Sequence, residues 1–74
     1  MNKKSMFEVF WENVERCLEE RGESLHHFEI SNGFQTGQVK QWKRRETIPH
    51  WKVVAKICDY FSIYYDVIFL EVEE

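Results

Sequence analysis

The stretch from Ile30 to Arg45, ISNGFQTGQVKQWKRR, decides the fold class, because it offers both a hairpin and a pair of helices. Asn32-Gly33 between apolar residues is a hairpin-turn signal, and the same Gly serves equally as the hinge between two short helices. Counting faces separates the two. In a hairpin, Phe34, Thr36 and Gln38 share one face and Gln35, Gly37 and Val39 the other, so neither carries a continuous apolar row. In a helix, Val39 and Trp42 fall on one side with Phe34 at its entry, while Thr36, Gln38, Lys40, Gln41 and Lys43 fall on polar faces. The helical reading wins, although Gly37 inside that helix costs up to about 1 kcal/mol relative to Ala.

The rest of the chain has the same period. In SMFEVFWENVERCLEERG, Phe7, Phe10, Trp11, Val14, Cys17 and Leu18 recur at steps of three and four, and Gly22 supplies the stop of a first helix. Ser24 is an N-cap candidate for a short second helix whose apolar face begins with Leu25 and Phe28. After RRETIP, whose Pro49 suits the entry to a helix, Trp51, Val54, Ala55, Cys58 and Phe61 mark a fourth. A break at Ser62 and an anchor at Ile63 precede a short fifth helix carrying Val67, Ile68 and Leu70, and then a charged tail. The expectation is an all-α, single domain of five short helices over residues 1–74.

Several function classes are excluded by composition. At 74 residues the core is marginal, and most of the large apolar residues are needed in it. Trp11, Trp51 and the Tyr60, Phe61, Tyr64, Tyr65 cluster read most simply as core, yet there are more aromatics than such a domain must bury. No run approaches the roughly 18 apolar residues of a membrane span, and the N-terminal stretch meets charges too early for a signal peptide, so a cytoplasmic location without membrane association is expected. Cys17 and Cys58 sit at no motif spacing, among apolar helical positions, and read as buried reduced thiols. His26 and His27 diverge by about 100° on a helix and cannot easily share a metal, so neither a metal nor another cofactor is expected. Glu pairs on the first helix are solvated, and with no nucleophile-base pair and no Gly-rich phosphate loop the chain does not read as an enzyme or as a small-molecule binder.

The net charge of −3 conceals a strong local imbalance. Residues 1–34 hold four Lys/Arg against seven Glu. Residues 35–56 hold Lys40, Lys43, Arg44, Arg45, Lys52 and Lys56 against Glu46 alone, and residues 57–74 hold five acids and no Lys or Arg. The basic charge therefore coincides with the third helix and the start of the fourth.

Taken together, S-L-x-x-F-x-x-x-x-G-F from Ser24, then Q-V-x-x-W from Gln38, then Ile48-Pro49, resemble the Cro/C1-type helix-turn-helix family, also called the XRE family. The resemblance runs from about Phe10 to Phe69. It implies a compact five-helix, lambda-repressor-like fold, with the helix-turn-helix over about 24–44. Gly33 takes the family's turn position, Phe34 the apolar residue after it, and Val39 and Trp42 the inward positions of the recognition helix. Two places depart from the pattern. Glu29 stands where a small residue lets the two helices approach, and Asn32 where Leu is usual. A carboxylate there is costly unless it reaches solvent. Gln35 also replaces the usual Ser or Thr cap, which leaves the start of the helix weaker.

What the resemblance implies is sequence-specific binding of double-stranded DNA by a small, repressor-like transcription regulator, with the helix around 35–44 in the major groove. Gln35, Thr36, Gly37, Gln38 and Gln41 are then the base-contact candidates, Gln for adenine edges and the Thr methyl for a thymine methyl. Lys40, Lys43, Arg44 and Arg45, with Ser24 and His26 at the start of the second helix, are the phosphate candidates. Reading two half-sites requires a homodimer, and the surplus apolar residues Tyr64, Tyr65, Phe69 and Val72 are its candidate patch. The alternative is a helix-turn-helix fold used for protein association, as in an antitoxin-like adaptor, favoured by Glu29 and the net acidity.

Overall fold

The computed structural model describes residues 4–72, and these are all-helical, with no strand among them. Helix α1 spans Met6–Arg21. Ser5 caps it by accepting from the Glu8 N–H at 3.2 Å, and Gly22, left-handed at φ 63°, ends it while the Glu23 N–H bonds the Leu18 carbonyl at 2.9 Å. Its inward stripe is Val9, Phe10, Trp11, Val14 and Leu18, all buried. Helix α2, Leu25–Ser31, starts at Ser24, whose hydroxyl accepts from the His27 N–H at 3.1 Å. Helix α3 covers Gln38–Arg44 and helix α4 covers Trp51–Phe61.

The core is where these four short pieces meet. Phe28 of α2 stacks on Phe61 of α4 at 5.4 Å and meets Phe34 and Tyr60 edge-on. Trp42 of α3 stacks on Trp11 of α1 at 5.9 Å, and the Trp11 indole N–H bonds the Thr47 carbonyl at 3.2 Å, tying the α3–α4 connector to α1. A seven-residue helix is not stable alone, so α2 and α3 exist because Phe28 and Val39 are buried in the core and Trp42 packs against it.

Four expectations are corrected. The fifth helix is a single turn of 3-10 helix at Val67–Phe69, because only Ile68 is fully buried there and the backbone turns extended at Leu70, with ψ 131°. Gly37 lies outside α3. Trp51 is 60 % exposed at the first position of α4, where Ile48 and the buried Pro49 already close that end of the core. Its ring lies near His50 and beneath the Lys52 ammonium. Leu25 is likewise exposed, leaving Phe28 as the apolar anchor of α2. Among the described helices, none is long and apolar enough to cross a membrane. Cys17 is half-buried and Cys58 buried, both free thiols whose pKa values burial raises.

The C-terminal segment folds back on α1. Asn13, buried at the middle of that helix, donates through Nδ2 to the carbonyls of Ile68 at 2.7 Å and Leu70 at 2.9 Å, and its Oδ1 accepts from Arg16 at 2.6 Å. Phe69 stacks on Phe10 at 5.6 Å beside this clamp. Asn13→Ala strands two carbonyls and should lower stability by about 1–3 kcal/mol in chemical denaturation. Amide exchange should accelerate first at residues 67–72. Uniform acceleration along the whole chain would show that Asn13 does not act through the tail.

Candidate nucleic-acid interface

The segment joining α2 to α3 is held by one side chain that the sequence makes look misplaced. Glu29 is 3 % exposed, so its carboxylate does not escape to solvent. It turns instead onto the start of α3, where Oε1 accepts from the Gly37 N–H at 3.1 Å and Oε2 from the Val39 N–H at 3.0 Å. Both are donors that a helix leaves unpaired in its first turn, and a carboxylate at that end also meets the favourable pole of the helix dipole. Gly37 itself caps α3 with no side chain and at φ 86°, a left-handed conformation that costs Gly little. The interior-helix cost expected of Gly37 therefore does not arise. The buried acid and the absence of a Ser or Thr at the start of α3 answer each other: the cap comes from α2.

Asn32, the other departure, is 2 % exposed and equally well satisfied. Its side-chain amide donates to the Phe28 carbonyl at 2.9 Å, and its own carbonyl accepts from the Lys56 ammonium of α4. Gly33 follows at φ 73° and turns the chain, and Phe34 plugs the corner between Phe28 and Trp42. No buried side-chain polar atom among the described residues lacks a hydrogen-bond partner.

With Val39 and Trp42 directed inward, the outward face of α3 carries Lys40, Gln41 and Arg44, and Gln35 and Thr36 stand exposed just before it. Gln38 is half-buried, as is Gly37. Lys43 faces α1, where its ammonium pairs with Glu15. Lys40, Arg44, Arg45 and Lys52 have no carboxylate within 4.0 Å among the described residues. The outer side of α3 is thus positive, and the connector after it carries Arg45 beside the exposed Glu46.

The start of α2 has a different character. Ser24 spends its hydroxyl on the helix cap, His26 is exposed, and beside them lies the Glu23 carboxylate, 9 % exposed. The Tyr60 hydroxyl donates to it, His27 Nδ1 lies 3.0 Å away, and the Arg21 guanidinium lies at 3.8 Å. An acid at this place opposes a phosphate on Ser24 or His26. Of the dimer candidates, Tyr64, Tyr65 and Val72 are exposed and Phe69 is half-buried against Phe10.

Sequence reasoning missed Glu29 and Glu23 as functional supports. The signal for Glu29 was available: an acid in the last turn of α2, followed by a helix start with no Ser, Asp or Asn at 35–37 and its one Thr, Thr36, ahead of the cap position. Comparison with protein-family models, with curated proteins and with solved structures finds no match in any of the three.

Glu29→Ala should cost about 2–4 kcal/mol, since it leaves two helix-start donors unpaired around a small void, whereas Glu29→Gln, which keeps one acceptor, should lose less. Denaturant melts of both variants check this. Equal losses would mean that packing, and not the cap, is what Glu29 supplies.

Burial raises the pKa of Glu23, but the bonds from Tyr60 and His27 and the charge of Arg21 outweigh it and hold the pKa below the usual carboxylate range. A folded-state pKa below the unfolded one stabilises the fold above the ordinary carboxylate range, and this contribution is lost as pH falls through the folded value. Tyr60→Phe should therefore lower the melting temperature at neutral pH, with the difference from wild type shrinking on acidification. A difference independent of pH would overturn that assignment.

Proposed function

We propose that this chain binds double-stranded DNA as a helix-turn-helix domain similar to the Cro/C1-type, lambda-repressor-like class, acting as a small transcription regulator. In this reading α2 and α3 are the two helices of the motif, and the 3-10 turn at Val67–Phe69 stands in place of the fifth helix. The observation that carries the reading is the outer face of α3. Polar side chains able to meet base edges, Thr36 and Gln41, stand beside Lys40, Arg44 and Arg45, which lack carboxylate partners among the described residues. The buried Val39, the half-buried Trp42 and the Glu29 cap anchor that face, as a reader of base edges requires.

The roles divide by position. Gln41 projects from the middle of α3 and Thr36 from the loop before it, so they are the strongest base-contact residues, with Gln35 beside them and Gln38 and Gly37 closer to the protein. Lys40, Arg44 and Arg45 are the phosphate contacts. Lys43 is partly committed to Glu15 and contributes less.

Binding should weaken as salt rises, with a slope of log K against log salt of about −0.9 for each phosphate contact. Replacing Lys40, Arg44 and Arg45 together by Ala should flatten that slope by about 2–3 on every duplex tested, and Lys43→Ala should change it less. On a site selected from a random duplex pool, Gln41→Ala or Thr36→Ala should cost about 1–3 kcal/mol and leave the slope in place. Absence of salt-dependent binding at low ionic strength would remove the DNA reading and favour a protein-association module instead.

A further inference from the structure

Asn32-Gly33, the one Asn-Gly pair in the chain, forms the turn after α2. A glycine after an asparagine leaves the following backbone nitrogen with no Cβ beside it, and that nitrogen is then an unhindered intramolecular nucleophile for the asparagine side-chain carbonyl carbon. The folded turn holds each participant away from that reaction. The Asn32 side-chain amide donates to the Phe28 carbonyl at 2.9 Å, and the Gly33 N–H donates to the Ile30 carbonyl at 3.1 Å. Ring closure requires the Gly33 nitrogen to eclipse Asn32 Cβ about the Cα–C bond. At ψ 3° it eclipses the Asn32 nitrogen instead, a third of a turn away. The Lys56 ammonium on the Asn32 carbonyl, and the Phe34 N–H on the Glu29 carbonyl at 2.8 Å, keep the intervening peptide from rotating. Asn32 is 2 % exposed, which also keeps water from the side-chain carbonyl.

We propose that Asn32-Gly33 is a self-modification site, a deamidation centre that the folded turn keeps shut and that local opening between α2 and α3 releases. On opening, base removes the Gly33 amide proton, the nitrogen bonds to Asn32 Cγ, the Cγ–Nδ2 bond breaks and ammonia leaves, giving a five-membered succinimide. Water then adds to one of the two ring carbonyls, and the ring opens to aspartate or to isoaspartate. Water is the only co-reactant, and nothing is oxidised or reduced. Neither product rebuilds the native turn. Aspartate sets a carboxylate oxygen where the amide donated to the Phe28 carbonyl, so that two acceptors face each other. Isoaspartate adds a carbon to the main chain between α2 and α3. The modification is thus a one-way record of how often the turn opens, and it alters the junction that carries α3 whatever α3 binds.

Incubation of the full chain at mildly alkaline pH, with peptide mapping by mass spectrometry, tests this independently of the DNA-binding reading. The guanidinium-unfolded chain should convert residue 32 readily, and the folded chain more than about tenfold more slowly at the same pH, because only the open fraction reacts. Lys56→Met keeps the aliphatic stem and removes the ammonium from the Asn32 carbonyl, so it should speed conversion in the folded chain. Asn13→Ala, which loosens the C-terminal segment, should leave the rate near that of wild type. Converted chain, separated by its added negative charge, should melt below the unmodified chain. Equal rates in the folded and unfolded chains would overturn the gate, and absence of conversion at residue 32 in the unfolded chain would overturn the site. A Lys56→Met rate equal to that of wild type, or equal acceleration by Lys56→Met and Asn13→Ala, would overturn local opening as the route.

Discussion

Two hydrogen bonds to the Glu29 carboxylate join α2 to the first turn of α3, and the rest of the α3 surface hangs from that junction. Each helix has only seven residues, too few to persist alone. Packing of Phe28, Val39 and Trp42 brings them to the core, but packing does not fix where α3 begins. The Glu29 bonds do, because they accept the N–H groups of Gly37 and Val39 and so set which residues lie in the loop and which in the helix. The orientation of Lys40, Gln41 and Arg44 follows from that register.

Charge is sorted along the same lines. The acids of α1 serve inward uses as well as solubility: Glu15 holds Lys43, and Glu23, just past its end, gathers Tyr60, His27 and Arg21. Such partly exposed pairs contribute little individually. Their effect is subtractive, since cations that meet acids no longer present free charge; among the described residues Lys40, Arg44, Arg45 and Lys52 stay without a carboxylate on α3, after it and at the entry to α4, while Arg16 and Lys56 bond Asn13 and the Asn32 carbonyl.

Most of the helical plan was legible, because α1, α2 and α4 announce themselves by period and by caps at Ser24 and Gly22, and the inward faces of Val39, Trp42, Ile57 and Phe61 follow from spacing. The failures have local causes. Trp51 continues the period of α4 but lies one turn beyond the neighbours that could bury it. The segment after Ser62 carries enough apolar residues for a helix, yet the Asn13 clamp draws its carbonyls toward α1 and Leu70 is already extended. Glu29 was legible as an anomaly and illegible as a solution, since the donors that satisfy it are eight and ten residues away, at the start of another helix. The outward positions of the candidate site came from the face count, whereas the engagement of Lys43 by Glu15, twenty-eight residues apart, required the tertiary structure.

Delegating the helix cap to Glu29 has an evolutionary consequence. In a helix capped by its own preceding residue, that residue is fixed by stability and closed to variation. Here Gln35 and Thr36 are exposed, and no side-chain hydrogen bond within the described residues ties either of them to the fold. Both positions are mutationally free at little thermodynamic cost, so the loop that meets the outside world can diversify while the scaffold beneath it stays constant.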